Sequence, residues 1–121
     1  MIEIFLICTS SMKRVVLFSL TTEHIKVIVE AYFDATNNLV IEGYDIGKTV
    51  EEYWGDSDYE YSTTIRPDQV RKLCTALNIP PDSPDELLTY LQFHYHANDC
   101  YSKIQDLLSQ LNVSYEGFSW R

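Results

Sequence analysis

Between His24 and Asp34 the chain alternates in type: Ile25, Val27, Val29, Ala31 and Phe33 fall on one side, and His24, Lys26, Glu30 and Asp34 on the other. A period of two sustained this long predicts a β-strand with one buried face. Asp34-Ala35-Thr36-Asn37-Asn38 reads as a turn, because Asp and Asn tolerate left-handed backbone and hydrogen-bond their own loop. Leu39 to Asp45 then returns as the second arm of a hairpin. Gly43 and Gly47 interrupt its pattern, which predicts a bulge followed by an exit turn. Tyr59 to Ile65 is β-branched and aromatic and predicts a third strand, with Tyr59, Tyr61, Thr63 and Ile65 on one face. Nearer the start, the short apolar runs Ile4 to Cys8 and Val15 to Leu20 also read as strand-like.

In the second half the period changes. Val70, Leu73, Cys74 and Leu77 recur at i, i+3, i+4 and i+7, the stripe of a helix whose first turn suits Pro67. Ser83-Pro84-Asp85-Glu86 predicts the start of a second helix, with Ser83 as cap, Pro84 at its first position and Glu86 reaching back. Its core face is Leu87, Leu88 and Leu91, with Tyr95 one turn on. Asn98 or Asp99 caps a third helix striped by Ile104, Leu107, Leu108 and Leu111. The tail from Val113 to Trp120 alternates, slips once at Gly117 and alternates again, which predicts a strand with a bulge. Strands first and helices later indicate an α+β fold. The expectation is an antiparallel sheet of about four to six strands, with two or three C-terminal helices packed on one face. At 121 residues the chain holds one domain and one core. Met12 is an alternative start, which would leave residues 1–11 as an upstream extension.

Charge narrows the function. Eighteen acids against nine bases give a net charge of -9, and the bases are scattered singly or in pairs such as Lys13 and Arg14. Phosphate binding needs clustered Lys and Arg, so direct contact with nucleic acid is not expected. An acidic surface either attracts a basic partner or keeps the domain in solution. No apolar run approaches the roughly 20 residues of a membrane span. Val15 to Leu20 after Met12-Lys13-Arg14 is also too short for a signal sequence and lacks a cleavage site. Cys8, Cys74 and Cys100 match no zinc or disulfide framework and read as buried free thiols in a reducing, cytoplasmic setting.

Catalytic and metal chemistry find little to stand on. His94, His96, Asp99 and Cys100 form a sparse cluster, of which only His96 and Cys100 would share one helical face. Asp56, Asp58 and Glu60 alternate like the start of a calcium loop. Tyr61 and Pro67, however, stand where that loop needs Gly and Glu. No nucleophile motif or glycine-rich phosphate loop is present, and no cofactor is expected.

The stretch from Glu42 to Tyr61 is different. It holds seven of the 18 acids and four of the nine Tyr, with Trp54 and a single base, Lys48. Thr49 could cap a short helical turn carrying Glu51, Glu52, Tyr53 and Trp54. Aromatic anchors within a carboxylate rim are what recognition of a basic protein requires. Alternatively, Val50, Tyr53 and Trp54 cover the end of the sheet as core, and the acids are a solvated face.

Leu39-Val-Ile-Glu-Gly-Tyr-Asp-Ile-Gly47, followed by Val50-Glu-Glu-Tyr-Trp-Gly-Asp-Ser-Asp-Tyr-Glu-Tyr61, resembles the core LVIEGxDxGxxVEExxGxSDYEY of a family of small bacterial proteins. Tyr115 to Trp120 resembles the tail with which many of them end. The resemblance is specific from Ala31 to Asp68, and the first 22 residues lie outside it. Such proteins resemble the immunity proteins paired with polymorphic or contact-dependent growth-inhibition toxins. The resemblance implies a non-catalytic protein that binds and neutralises a cognate toxin domain, a basic one such as a nuclease. Asp45, Glu51, Glu52, Asp56, Asp58 and Glu60 would then face toxin Lys and Arg, with Tyr53, Trp54 and Tyr59 as anchors. The rival expectations are a scaffold domain that self-associates through a sheet edge, and a carboxylate-dependent hydrolase.

Overall fold

The computed structural model describes residues 14–47 and 58–120, and in it the alternating segments become strands of one sheet. In chain order these are β1 (Arg14–Thr21), β2 (Ile25–Phe33), β3 (Leu39–Gly47) and β4 (Asp58–Ile65). They are followed by α1 (Pro67–Leu77), α2 (Pro84–His94), α3 (Cys100–Gln110) and β5 (Glu116–Trp120). The five strands pair antiparallel in the order β1-β2-β3-β4-β5, so the last strand joins the sheet beside β4 after the helices. The fold is α+β, with all three described helices in the C-terminal half.

The β2–β3 hairpin is held by its turn. Asp34 Oδ1 accepts hydrogen bonds from the backbone N–H groups of Thr36 and Asn38, both at 3.0 Å, and Asn37 takes a left-handed φ of 66°. Burial works to raise the Asp34 carboxyl, but these bonds, together with those from the side chains of Asn38 and Thr36, outweigh it and hold the carboxyl below its usual range. The turn fixes Phe33 opposite Leu39 and thereby Ala31 opposite Ile41 and Glu30 opposite Glu42. Alternation then sorts the sheet into two faces. Val15, Val29, Ala31, Leu39, Ile41 and Ile65 form the buried face, and onto them pack Leu73, Cys74, Leu87, Leu88, Leu91, Ile104 and Leu108 from the three helices. Each such Leu contributes about 1.5–3 kcal/mol by leaving water.

Four details differ from the sequence-based expectation. Gly43 is not at a bulge, because pairing runs unbroken through it on both sides, to Val29 and to Tyr61. It is glycine because the Tyr61 ring lies where a Cβ would be: one built on Gly43 comes within 1.8 Å of Tyr61 Cε1. The sheet's irregularity is instead in β1, where the register shifts between Val16 and Phe18. Gly117 likewise pairs regularly with Thr63, since β5 begins only at Glu116 and the slip in alternation marks entry into the strand. Helix α2 ends at His94, with Tyr95 as its half-buried cap residue. His96 therefore lies in the connection to α3 and shares no helical face with Cys100.

Ser83 and Asp99 occupy the N-cap positions as expected, but neither side chain bonds the helix it precedes. Pro67 and Pro84 begin their helices, and Asn78, at φ 60°, closes α1. At the far end of β3, Gly47 has a φ of 156°, and a Cβ there would come within 2.3 Å of the His24 carbonyl oxygen. The run from Ile4 to Cys8 lies outside the described residues.

Candidate functional site

Register divides the acidic, aromatic stretch between the two faces. Asp45 pairs with Tyr59, and both lie on the helix side with Tyr61. The Tyr61 hydroxyl donates to Asp45 Oδ1 at 3.1 Å, and its ring packs against Tyr59 and, edge-on, against Tyr101 of α3. Burial pushes the Asp45 carboxyl above its ordinary range, against the hydrogen bond from Tyr61. Burial, and then the facing Asp45 charge, push the Tyr61 phenol up as well. Deeper in, Thr63 is fully buried and its hydroxyl meets Tyr101 at 2.8 Å and Gln105 at 3.1 Å. A groove of about 500 Å³ runs beside this cluster between α3 and β5, with Tyr59, Tyr61, Tyr101, Gln105, Gly117 and Ser119 among its walls.

Glu60, one residue from Tyr59, belongs to the opposite face and is exposed. Asp58 begins β4, opposite Ile46. Glu51, Glu52, Tyr53, Trp54 and Asp56 lie outside the described residues. Of the nine candidate positions, Asp45 and Tyr59 are thus brought together on the helix side, while Glu60 stands apart from them.

The second face carries no helix among the described residues, and its composition is distinctive. Glu30 and Glu42 sit directly opposite each other on β2 and β3, a pairing of like charges that destabilises a sheet unless a cation intervenes. Arg14 of β1 supplies it, with Nη1 2.8 Å from Glu30 Oε1 and 3.2 Å from Glu42 Oε1. Its guanidinium lies 3.9 Å over the ring of Tyr32, and the Tyr32 hydroxyl donates to Glu42 Oε2 at 3.3 Å. Burial opposes the Arg14 charge, but the hydrogen bonds and charges of Glu30 and Glu42 outweigh it and raise its pKa.

Beside this arrangement lies a hollow of about 300 Å³ between β3, β4 and β5, walled by Glu42, Tyr44, Glu60, Tyr61, Ser62 and Phe118. Among the described residues no Lys or Arg lines it. Phe118 is 60% exposed and presents its ring at the rim. Sequence reasoning did not single out Glu30, Tyr32, Tyr44 or Phe118. The usable signal was the turn: once Phe33 pairs with Leu39, Glu30 must face Glu42, and two opposed acids call for a cation from a neighbouring strand.

Among the described residues, the other chemistry-bearing side chains are dispersed or buried. His94 packs at a tilt against Tyr90, with ring centroids 4.2 Å apart, and meets Phe93 edge-on. Cys74 and Cys100 are buried, and burial raises both thiols, which disfavours the reactive thiolate. Among the described residues no three His, Cys, Asp or Glu side chains gather as metal ligands do, and no helix is long and apolar enough to cross a membrane. No protein-family model matches the chain, and comparison with curated proteins and with solved structures likewise returns no match.

Proposed function

We propose that this chain is a cytoplasmic immunity protein, which binds a cognate bacterial toxin domain and neutralises it without catalysing a reaction of its own. The observation that carries this reading is the second face of the sheet, where Tyr32, Tyr44 and Phe118 stand among Glu30, Glu42 and Glu60 with no helix over them among the described residues. Large aromatic side chains lose little entropy on binding, and carboxylates around them select a basic partner and speed its approach. The net charge of -9 extends that attraction beyond contact distance. A basic partner in turn suits a nuclease toxin, whose Lys and Arg hold phosphate and would be occupied by these acids. The resemblance of residues 31–68 to small bacterial immunity-like proteins points the same way.

Within this reading, Glu51, Glu52, Tyr53, Trp54 and Asp56, which fall in the sequence between the end of β3 at Gly47 and the start of β4 at Asp58, would engage the toxin as well. Asp45 and Tyr59 contribute only if the toxin also reaches round to the helix side. Co-expression with the toxin domain encoded beside its own gene tests the proposal. Rescued growth and a complex that co-elutes on gel filtration are expected. A toxin that kills with equal efficiency in the presence of this protein would sink the idea.

A further inference from the structure

We propose that the hollow between β3, β4 and β5 seats an arginine side chain of the protein partner. Only the source of that arginine, the toxin, rests on the immunity reading; the seat itself is argued from the residues around it. Glu42 and Glu60 provide carboxylates on adjacent strands, and Tyr44, Ser62 and Phe118 form walls that are flat or small. A guanidinium is planar, donates along two edges and stacks on aromatic rings, so it can satisfy two separated carboxylates while lying against a ring. A lysine ammonium is a strongly hydrated point charge that gains less from the flat walls and lacks the planar fork to span two carboxylates. The volume, about 300 Å³, is at the low end for small-molecule sites and suits one long side chain.

The same face already holds one guanidinium in this manner. Arg14 lies over Tyr32 and between Glu30 and Glu42, so an acid, a ring and a second acid hold it. The hollow repeats that set further along the sheet, with Glu42 shared, Tyr44 as ring and Glu60 as the second acid. Each Glu42 oxygen takes one described hydrogen bond, from Arg14 or from Tyr32, and keeps a lone pair for another. Glu60 makes no hydrogen bond or ion pair among the described residues, so its charge is available. Charge complementarity therefore specifies the occupant: a basic segment of a partner protein that projects an arginine, with Phe118 beneath its apolar stem.

A titration followed by ¹H–¹⁵N NMR tests this with three blocked tripeptides, Gly-Arg-Gly, Gly-Lys-Gly and Gly-citrulline-Gly. The arginine peptide is expected to move the amides of Gly43, Tyr44, Tyr61 and Ser62 and to lose that effect in high salt. Lysine is expected to bind more weakly and citrulline, which keeps the shape without the charge, not at all. Glu42→Gln with Glu60→Gln should weaken the arginine peptide about tenfold or more. Glu60→Gln alone leaves the Arg14 partners intact and keeps the test decisive if the double change disturbs β1. Equal binding of citrulline or lysine, shifts confined to other amides, or no loss in Glu60→Gln would overturn the proposal. The rescue assay separates the two claims. Full neutralisation by Glu60→Gln removes the seat and leaves the immunity reading standing. Arginine binding in the hollow by a protein that rescues no toxin does the reverse.

Discussion

On the helix side of the sheet Ala31, Leu39, Ile41 and Ile65 are sealed under α1 to α3, and even the polar Thr63 is fully buried and bonded. On the other side the same strands present Glu30, Tyr32, Glu42, Tyr44 and Glu60, with Phe118 from β5. The backbone is common to both, so a step of one residue along a strand exchanges core for surface. An acid-rich stretch in a strand is therefore two half-stretches with different environments. Asp45 on the helix side is half-buried with a raised pKa, while Glu42 and Glu60 edge an open hollow. Aromatic rings divide in the same way: the Tyr61 ring packs against Tyr101 on the helix side, and Tyr44, opposite Glu60, belongs to the other face.

The largest effect that would test this contrast is on stability. Leu39→Ala on the helix side removes a fully buried side chain and is expected to cost about 2–5 kcal/mol in urea unfolding. Glu60→Gln on the other side should stay within about 0.5 kcal/mol of the parent. Comparable losses would mean that the second face is also core. Next comes Gly43→Ala, whose new methyl group would occupy the place of the Tyr61 ring. Tyr59 and Tyr101 hem that ring in, so a loss of about 1–3 kcal/mol is expected. Combined with Tyr61→Ala the two losses should add to less than their sum, since removing the ring removes the clash. Strict additivity would deny that the glycine exists for the tyrosine.

A smaller effect is expected on the open face itself. Arg14→Gln leaves Glu30 and Glu42 opposed without a cation and should cost about 0.5–1 kcal/mol at low salt, less as salt rises. Adding Glu30→Gln removes the repulsion and should recover most of the loss. If it recovers nothing, Arg14 contributes through its packing on Tyr32 and not through charge.

How far these faces could be read from the residues alone follows from the range of each signal. Strands β2, β3 and β4 were legible because alternation is local, and the helix stripes because i, i+3 and i+4 lie within one turn. The irregularity in β1 was not, since Val15 to Phe18 is continuously apolar and shows no parity to break. Gly43 was misread because a glycine in a strand marks either a bulge or a close approach, and only the residue across the sheet, Tyr61, decides between them. The open face joins Arg14, Glu30, Glu42, Glu60 and Phe118 from five strands, so no single window of the chain contains it. Composition flagged Glu42 to Tyr61 as unusual, but register was needed to divide it.

The smallest expected effect concerns the acid on the helix side. A carboxyl whose folded pKa is raised binds its proton more tightly in the folded state than in the unfolded chain. Between the unfolded value, about 3.9, and the raised folded value, the folded state holds more protons, so stability falls as pH rises. Below that window the carboxyl is protonated in both states, and its favourable share is fully present. Above it the share is lost. Asp45→Asn removes the titration but keeps an acceptor for the Tyr61 hydroxyl. The variant should therefore match the parent at acid pH and be slightly more stable at neutral pH. The gain should be at most about 0.5 kcal/mol, because solvent still reaches and screens this site. Urea unfolding of both proteins across the acid-to-neutral range would show it. A variant less stable at neutral pH would mean that the fold stabilises this carboxylate as an anion. Asp45 would then belong with Glu42 and Glu60 as a charge held ready for a cation, and the division of the acids between the two faces would lose its electrostatic basis.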